Sequence, residues 1–219
     1  MRDSTEKIKA RIIASASHLF KTIGYQKTTI RLIVADTGIK IGSIYNIFPN
    51  KEAIFLAVAD EKIENGMALI NEKFAQESPF FRFLCIYQVH LTMILYNQVV
   101  RENYYATYSS PLIAEFLANK MAGISKKLFA ELFPQMTLED FRIRNILFQG
   151  LIRSYIMGLD FAKPIPFYEA GKLLLTMIFS AFGIAEVDTV KIIEKFKKKR
   201  KGCYANLAAG YSRRFKRVG

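Results

Sequence analysis

A chain of 219 residues that is 51% hydrophobic has material for a sizeable core, either one large domain or a small domain fused to a larger one. Only two cysteines (Cys85 and Cys203) and two histidines are present, without metal-ligand spacing, so neither a metal site nor a disulfide framework is expected and a reducing compartment is indicated. The net charge of +13 is concentrated at the ends: residues 1–51 carry +6, residues 52–186 carry −2 and residues 187–219 carry +9, which fits a polyanionic partner at the N-terminal end and, for charge alone, equally fits simple solubility.

The first helix is expected from Ser4 to Ile23, where Ile8, Ile12, Ala16, Leu19, Phe20 and Ile23 keep a helical period; Asp3 with Glu6 resembles a capping box, and Gly24 ends the run. The stretch Thr28–Ile54 carries the strongest pattern. Thr28 or Thr29 can cap a helix in which Ile30, Ile33 and Val34 share a face, and Gly38 can end it in a left-handed conformation. A second short helix, Ile41 to Phe48, turns Ile44 and Phe48 to one side and Lys40, Ser43 and Asn46 to another. Pro49 stops it, and Asn50 can cap the next helix. Helix, glycine turn and short helix with a polar outer face make a helix-turn-helix, whose second helix enters the DNA major groove. A core of about fifty residues built on Ile12, Ala16, Leu19, Ile33, Val34, Ile44 and Phe48 is near the lower limit for independent stability and should lean on a larger body.

Beyond it, helices are expected from Asn50 to Phe74, Phe80 to Asn103, Pro111 to Phe133, Leu138 to Phe161 and Phe167 to Phe182, separated by Ser78–Pro79, Pro134 and Pro164/Pro166. Thr137, Glu139 and Asp140 suit the start of the fourth of these. Phe83 to Val100 is uncharged but contains Gln88, His90, Thr92, Asn97 and Gln98, so it reads as a buried helix rather than a membrane span, and the charged N-terminus lacks the core of a signal peptide; a cytoplasmic protein with no membrane partner is expected. No strand alternation or repeat is present. The fold class is therefore all-α: a helix-turn-helix domain (1–50), a helical ligand-binding and dimerisation domain (51–186) and a basic C-terminal helix or tail (187–219). Lys191, Lys195, Lys197, Lys198, Lys199, Arg200 and Lys201, followed by Arg213, Arg214, Lys216 and Arg217, read as a mobile solvated tail or as an accessory contact with DNA or another anionic surface.

LFKTIGYQKTTI, IRLIVADTG, IKIGSIYNIF and PNKEAIF, in this order and spacing, resemble the DNA-binding domain of the TetR family of transcriptional regulators, over about a quarter of the chain. The resemblance implies that Thr28 or Thr29 contacts a backbone phosphate, that Lys40, Ile41, Gly42, Ser43 and Asn46 face the groove, and that Tyr45 and Lys51 hold phosphates on either side. The chemistry agrees. Hydroxyl and amide groups at a helix start bind phosphate, Asn pairs with adenine, and Ile can meet a thymine methyl. Two features depart from the family pattern: Lys40 replaces the usual small hydroxyl cap, and Ile41 and Ile47 are apolar in a helix expected to face DNA.

For the body, the resemblance implies a small-molecule pocket and a homodimer formed by Leu138–Phe161 and Phe167–Phe182, with Gly150, Gly158, Gly171, Leu151, Leu159, Leu174, Leu175, Ile178 and Phe179 either at that interface or in an ordinary core. The candidate pocket residues are Tyr87, His90, Tyr96, Tyr104, Tyr105, Tyr108, Phe116, Phe148 and Tyr155, suited to an apolar or aromatic effector or to plain core packing. The expected function is a ligand-responsive repressor that binds a palindromic double-stranded operator as a dimer, without a cofactor. A nonspecific DNA-binding protein driven by the basic ends is the alternative. An enzyme acting on an apolar substrate finds no support in nucleophile, zinc, phosphate-loop or dinucleotide motifs.

Overall fold

Thr29, Asn50, Ser78, Asn97, Ser110 and Thr137 each accept a hydrogen bond on a side-chain oxygen from the amide three residues ahead, and at each a helix begins. The computed structural model describes residues 2–161 and 163–213. Its helices are α1 (Arg2–Thr22), α2 (Ile30–Thr37), α3 (Ile41–Ile47), α4 (Lys51–Lys73), α5 (Pro79–Tyr96), α6 (Gln98–Tyr108), α7 (Pro111–Phe129), α8 (Leu138–Leu159), α9 (Phe167–Ser180) and α10 (Glu186–Arg213), with no strand among the described residues. The all-α expectation holds.

Two boundaries differ from the sequence reading for identifiable reasons. α1 already includes Asp3, so Asp3 is not its cap. The helix expected from Phe80 to Asn103 is two helices. Asn97, at φ −140°, closes α5 through its own amide and opens α6 by accepting from the Val100 amide at 3.1 Å. Thr137 and Asp140 form a reciprocal capping box at the start of α8, where an acidic N-terminus was expected.

Two hydrophobic cores result. The head core joins Ile12, Ala16 and Phe20 of α1, Ile33 of α2, Ile44 of α3 and Ile54 and Val58 of α4, and it also takes in Ile113 from α7, which is fully buried there. The helix-turn-helix is thus finished by a residue more than fifty positions away, as its small size requires. The body core gathers Phe81, Phe83, Phe129, Phe141, Phe179 and Phe182, with ring centroids such as Phe83–Phe129 at 5.1 Å and Phe129–Phe182 at 5.0 Å.

α10 corrects the expectation of a mobile tail for the first basic run. Ile193 and Phe196 are buried, Phe196 meets Phe81 at 6.0 Å, and Lys195 and Lys199 both pair with Glu77 at the α4–α5 turn. Those two ammonium groups, Lys195 first, hold the mostly buried Glu77 carboxyl below the usual carboxylate range. Arg214, Lys216 and Arg217 lie outside the described residues, as do the side chains of Arg200, Lys201, Cys203 and Arg213.

Candidate nucleic-acid interface and aromatic cluster

The turn geometry of the head follows from its residue types. Gly38 ends α2 at φ +68°, its amide bonding the Val34 carbonyl at 2.8 Å, and the Arg11 guanidinium donates to the Thr37 carbonyl at 2.6 Å. This fixes α2 against α1 and sets the angle at which α3 leaves. α3 turns Ile44 inwards and leaves Lys40, Ile41, Gly42, Tyr45 and Asn46 exposed, with Ser43 half-buried beside them; Ile41 is 45% and Tyr45 50% exposed. Lys40 supplies no side-chain cap to α3. Ile47 packs against the head core, which accounts for one of the two apolar residues in this helix; Ile41 stands outside.

The two threonines separate clearly. Thr28 is fully buried and its hydroxyl donates to the Gly24 carbonyl at 2.7 Å, so it has no group to offer a phosphate; the alternative narrows to Thr29, exposed at the N-cap of α2. Lys51 is engaged within the head. Its ammonium donates to the Tyr25 carbonyl at 2.9 Å and lies 4.3 Å from the centre of the Tyr25 ring, and burial draws its pKa down. A Lys at this position reads as a phosphate ligand from sequence, because the carbonyl it meets is set by the tertiary fold.

In the body, Tyr87, His90, Tyr104, Tyr108 and Phe148 come together. His90 and Tyr104 rings lie 5.8 Å apart, Tyr104 and Tyr108 5.8 Å, and Tyr87 and Phe148 6.4 Å. Burial pushes the Tyr87 and Tyr108 phenols up and lowers His90 to about 4, so the imidazole is neutral at pH 7. Yet His90, Tyr104 and Tyr108 keep accessible surface. The members of this aromatic cluster carry hydroxyls and an imidazole and no formal charge.

Other candidates fall elsewhere. Tyr155 is buried further along α8, its hydroxyl 3.5 Å from where a Cβ on Gly171 would stand. Phe116 is half-buried on α7, and no ring contact among the described residues joins it to the group. Tyr105 is 45% exposed under Arg153, on the outer side of α6. The side chain of Tyr96 lies outside the described residues. Leu174, Leu175, Ile178 and Phe179 are core residues; the apolar side chains left uncovered on α8 and α9 include instead Ile143, Ile146, Leu147, Leu173 and Met177, which periodicity alone did not separate from the buried set. Among the described residues no helix is long and apolar enough to cross a membrane.

The comparisons with known proteins fall on this geometry. Residues 12–58, from α1 into α4, match the family model of bacterial regulatory proteins, tetR family. An uncharacterized HTH-type transcriptional regulator, YfiR of Bacillus subtilis (strain 168), is 23% identical over 77 residues, which is 35% of this chain and 38% of that protein. The chain thus aligns with well under half the length of this curated relative. A crystal structure of RolR in complex with its ligand resorcinol superposes with a TM-score of 0.67 at 17% identity, covering 88% of this chain and 95% of that one, a likeness of fold through head and body together. Residues 12–58, on the helices that build the exposed α3, thus resemble the bacterial regulatory proteins of the tetR family, and head and body together share the fold of RolR.

Proposed function

We propose that the protein is a cytoplasmic repressor that binds a palindromic operator as a homodimer and changes its hold on DNA when a small, uncharged aromatic molecule binds at the aromatic cluster of the body. The observation that supports this reading is the pairing of an exposed outer face on α3 with an uncharged, hydroxyl-bearing aromatic cluster in a body that shares a core with the head. Thr29 and Tyr45 hold phosphates. Lys40, Ile41, Gly42, Ser43 and Asn46 meet the groove, with Asn46 reading adenine and Ile41 a thymine methyl. Lys51 supports these contacts by shaping the turn before Thr28.

Tyr87, His90, Tyr104, Tyr108 and Phe148 form the effector site. That RolR was crystallised with resorcinol makes small phenols the first effectors to test. A two-fold pair is needed because one seven-residue helix spans few base pairs, and partners about 34 Å apart engage successive major grooves. The uncovered side chains of α8 and α9 supply an apolar face for that pair.

The nonspecific alternative loses force from α10. Lys191 pairs with Asp188, Lys197 with Glu194, and Lys195 and Lys199 with Glu77, so four lysines of the basic run are engaged with carboxylates of the chain itself. The test is a gel shift on the DNA upstream of the protein's own gene. Wild type binds it in competition with nonspecific DNA and Thr29→Ala/Tyr45→Ala/Asn46→Ala does not; equal binding by both, or binding lost only on truncation before Lys195, sinks the reading.

A further inference from the structure

From Lys191 to Lys199 α10 carries five lysines against one carboxylate, Glu194. Its other side is covered by the body: Thr189, Ile193 and Phe196 are buried, at spacings of four and three that place them on one face. The five lysines all stand on the exposed side. α9 adds a sixth cation from a separate element, because Lys172 is exposed and close enough to act on Glu194. Lys197, which donates to Glu194 at 2.7 Å, holds that carboxyl below its usual range, and Lys198 and Lys172 reinforce the effect. One carboxylate thus stands among three ammonium groups. Beyond Lys199 the sequence adds six Lys/Arg and no Asp/Glu, so residues 187–219 reach +9.

The internal pairs do not remove this field. Lys191–Asp188 and Lys197–Glu194 are exposed i, i+3 pairs, of the kind that hold weakly in water and give way to another anion. Lys195 and Lys199 are different. Both are committed to the mostly buried Glu77, and they clamp α10 to the α4–α5 turn. That clamp fixes the place of the lysine ridge. α4 starts at Lys51, which touches the head at the Tyr25 carbonyl, and passes Ile70 in the body core to end at Lys73. Its 23 residues span roughly 33 Å, and Glu77 lies past the far end. Ridge and head are therefore at opposite ends of α4, about four Debye lengths apart at physiological ionic strength. At that range the ridge contributes little to the field around α3.

The chemistry of the ridge selects its partner. Lysine ammonium groups along a helix are point charges, and they hold a phosphate backbone without reading sequence. Lys191 to Lys199 covers roughly 12 Å of helix, along which B-DNA presents on the order of seven phosphates. A lipid surface is a poorer match. A helix lying in a membrane interface buries an apolar face there, and Ile193 and Phe196 are already in the body core.

We propose that the α9–α10 ridge is a second nucleic-acid contact, which takes the phosphate backbone of a duplex other than the one held by α3 and so lets the protein bridge two DNA segments. The ridge adds to binding by α3 and does not replace it. The bridge rests on the reading of α3 as a DNA-binding helix; the ridge contact by itself does not.

The experiment uses the full chain with Lys172→Gln/Lys191→Gln/Lys197→Gln/Lys198→Gln, all exposed, leaving Lys195 and Lys199 in place so that α10 stays docked. A duplex carrying the site selected by the wild type is fixed to beads, and capture of a second, fluorescent duplex of random sequence is measured. The quadruple variant captures at least about fivefold less than the wild type, with affinity for the selected site within about twofold and helical content unchanged. In the Thr29→Ala/Tyr45→Ala/Asn46→Ala background the remaining affinity for DNA falls with salt, and the four substitutions make the log–log slope shallower by about 3. If the quadruple variant fails to fold, Lys197→Gln/Lys198→Gln decides, with capture lowered about twofold. No capture by the wild type, or equal capture by the variants, overturns the ridge. An equal loss of capture and of affinity for the selected site overturns the second duplex, since it places the lysines on the DNA that α3 holds. Binding to phosphatidylserine vesicles that the four substitutions abolish, without capture of DNA, overturns nucleic acid in favour of a lipid surface. A wild type that selects no site sinks the reading of α3, and the salt slope on random duplex, with and without the four substitutions, then still decides the ridge.

Discussion

Ile113 offers the sharpest test of how the head is completed. It belongs to α7, yet its side chain is fully buried among Ile12, Ile33, Ile44, Ile54 and their neighbours. Ile113→Ala removes three carbons; at roughly 0.8 kcal/mol per buried methylene that is about 2.4 kcal/mol of lost transfer energy. The cavity left behind adds to this, because helices on three sides relax only in part, and the total should be about 3 kcal/mol within the 2–5 kcal/mol usual for such truncations. Leu112, the neighbouring residue on α7, is 48% exposed, and Leu112→Ala should stay within about 0.5 kcal/mol of wild type. Urea denaturation followed by circular dichroism, at one fixed protein concentration, measures both. The Ile113→Ala loss should appear together with weaker DNA binding, since the residue sits in the seam that seats the head. A loss below about 1 kcal/mol, indistinguishable from Leu112→Ala, would refute the shared core and leave residues 1–50 as a self-sufficient domain.

Three further outcomes follow from the same contacts. Thr29→Ala should cost about 1 kcal/mol by removing the α2 cap and should weaken DNA binding beyond that, read by thermal melts and fluorescence anisotropy; loss of stability with unchanged DNA affinity would confine Thr29 to capping. Gly24→Ala should cost about 1–2 kcal/mol through its left-handed backbone alone, as its new Cβ meets neighbours only at ordinary contact distance; the midpoint of urea unfolding checks it. His90 is lowered by burial from 6.5 to about 4, so between those values the unfolded chain binds the extra proton. Stability should therefore fall as pH drops from about 6.5 towards 4, by on the order of 3 kcal/mol from this group, and His90→Phe should flatten that part of the profile; an unchanged pH dependence would place His90 in water.

Much of the local structure was legible because short-range chemistry determines it. Thr29, Asn50 and Thr137 cap the helices they precede, Gly38 ends α2, and Pro79 opens α5, each within a few residues of the signal. The exposed face of α3 was also legible, since Ile44 and Phe48 mark its buried side. What sequence reasoning missed depends on partners far away in the chain. Lys51 looks like any basic residue at a helix start until the Tyr25 carbonyl stands beside it. Asn103 looks like a surface residue within an aromatic helix until α1 and the following turn arrive. Leu174 and Leu173 are adjacent and chemically identical, and only packing makes one core and the other an uncovered surface. The lysines of α10 read as a solvated tail because their counter-charge, Glu77, lies more than a hundred residues upstream.

The measurement that bears most directly on the whole account is selection of random-sequence DNA by the full-length protein, followed by affinity measurements on the selected site. The account predicts enrichment of a two-fold repeat with half-sites about one helical turn apart, binding lost in Thr29→Ala/Tyr45→Ala/Asn46→Ala, and affinity that changes when a small neutral phenol is added. No enriched sequence, or equal binding by the triple variant, would contradict it.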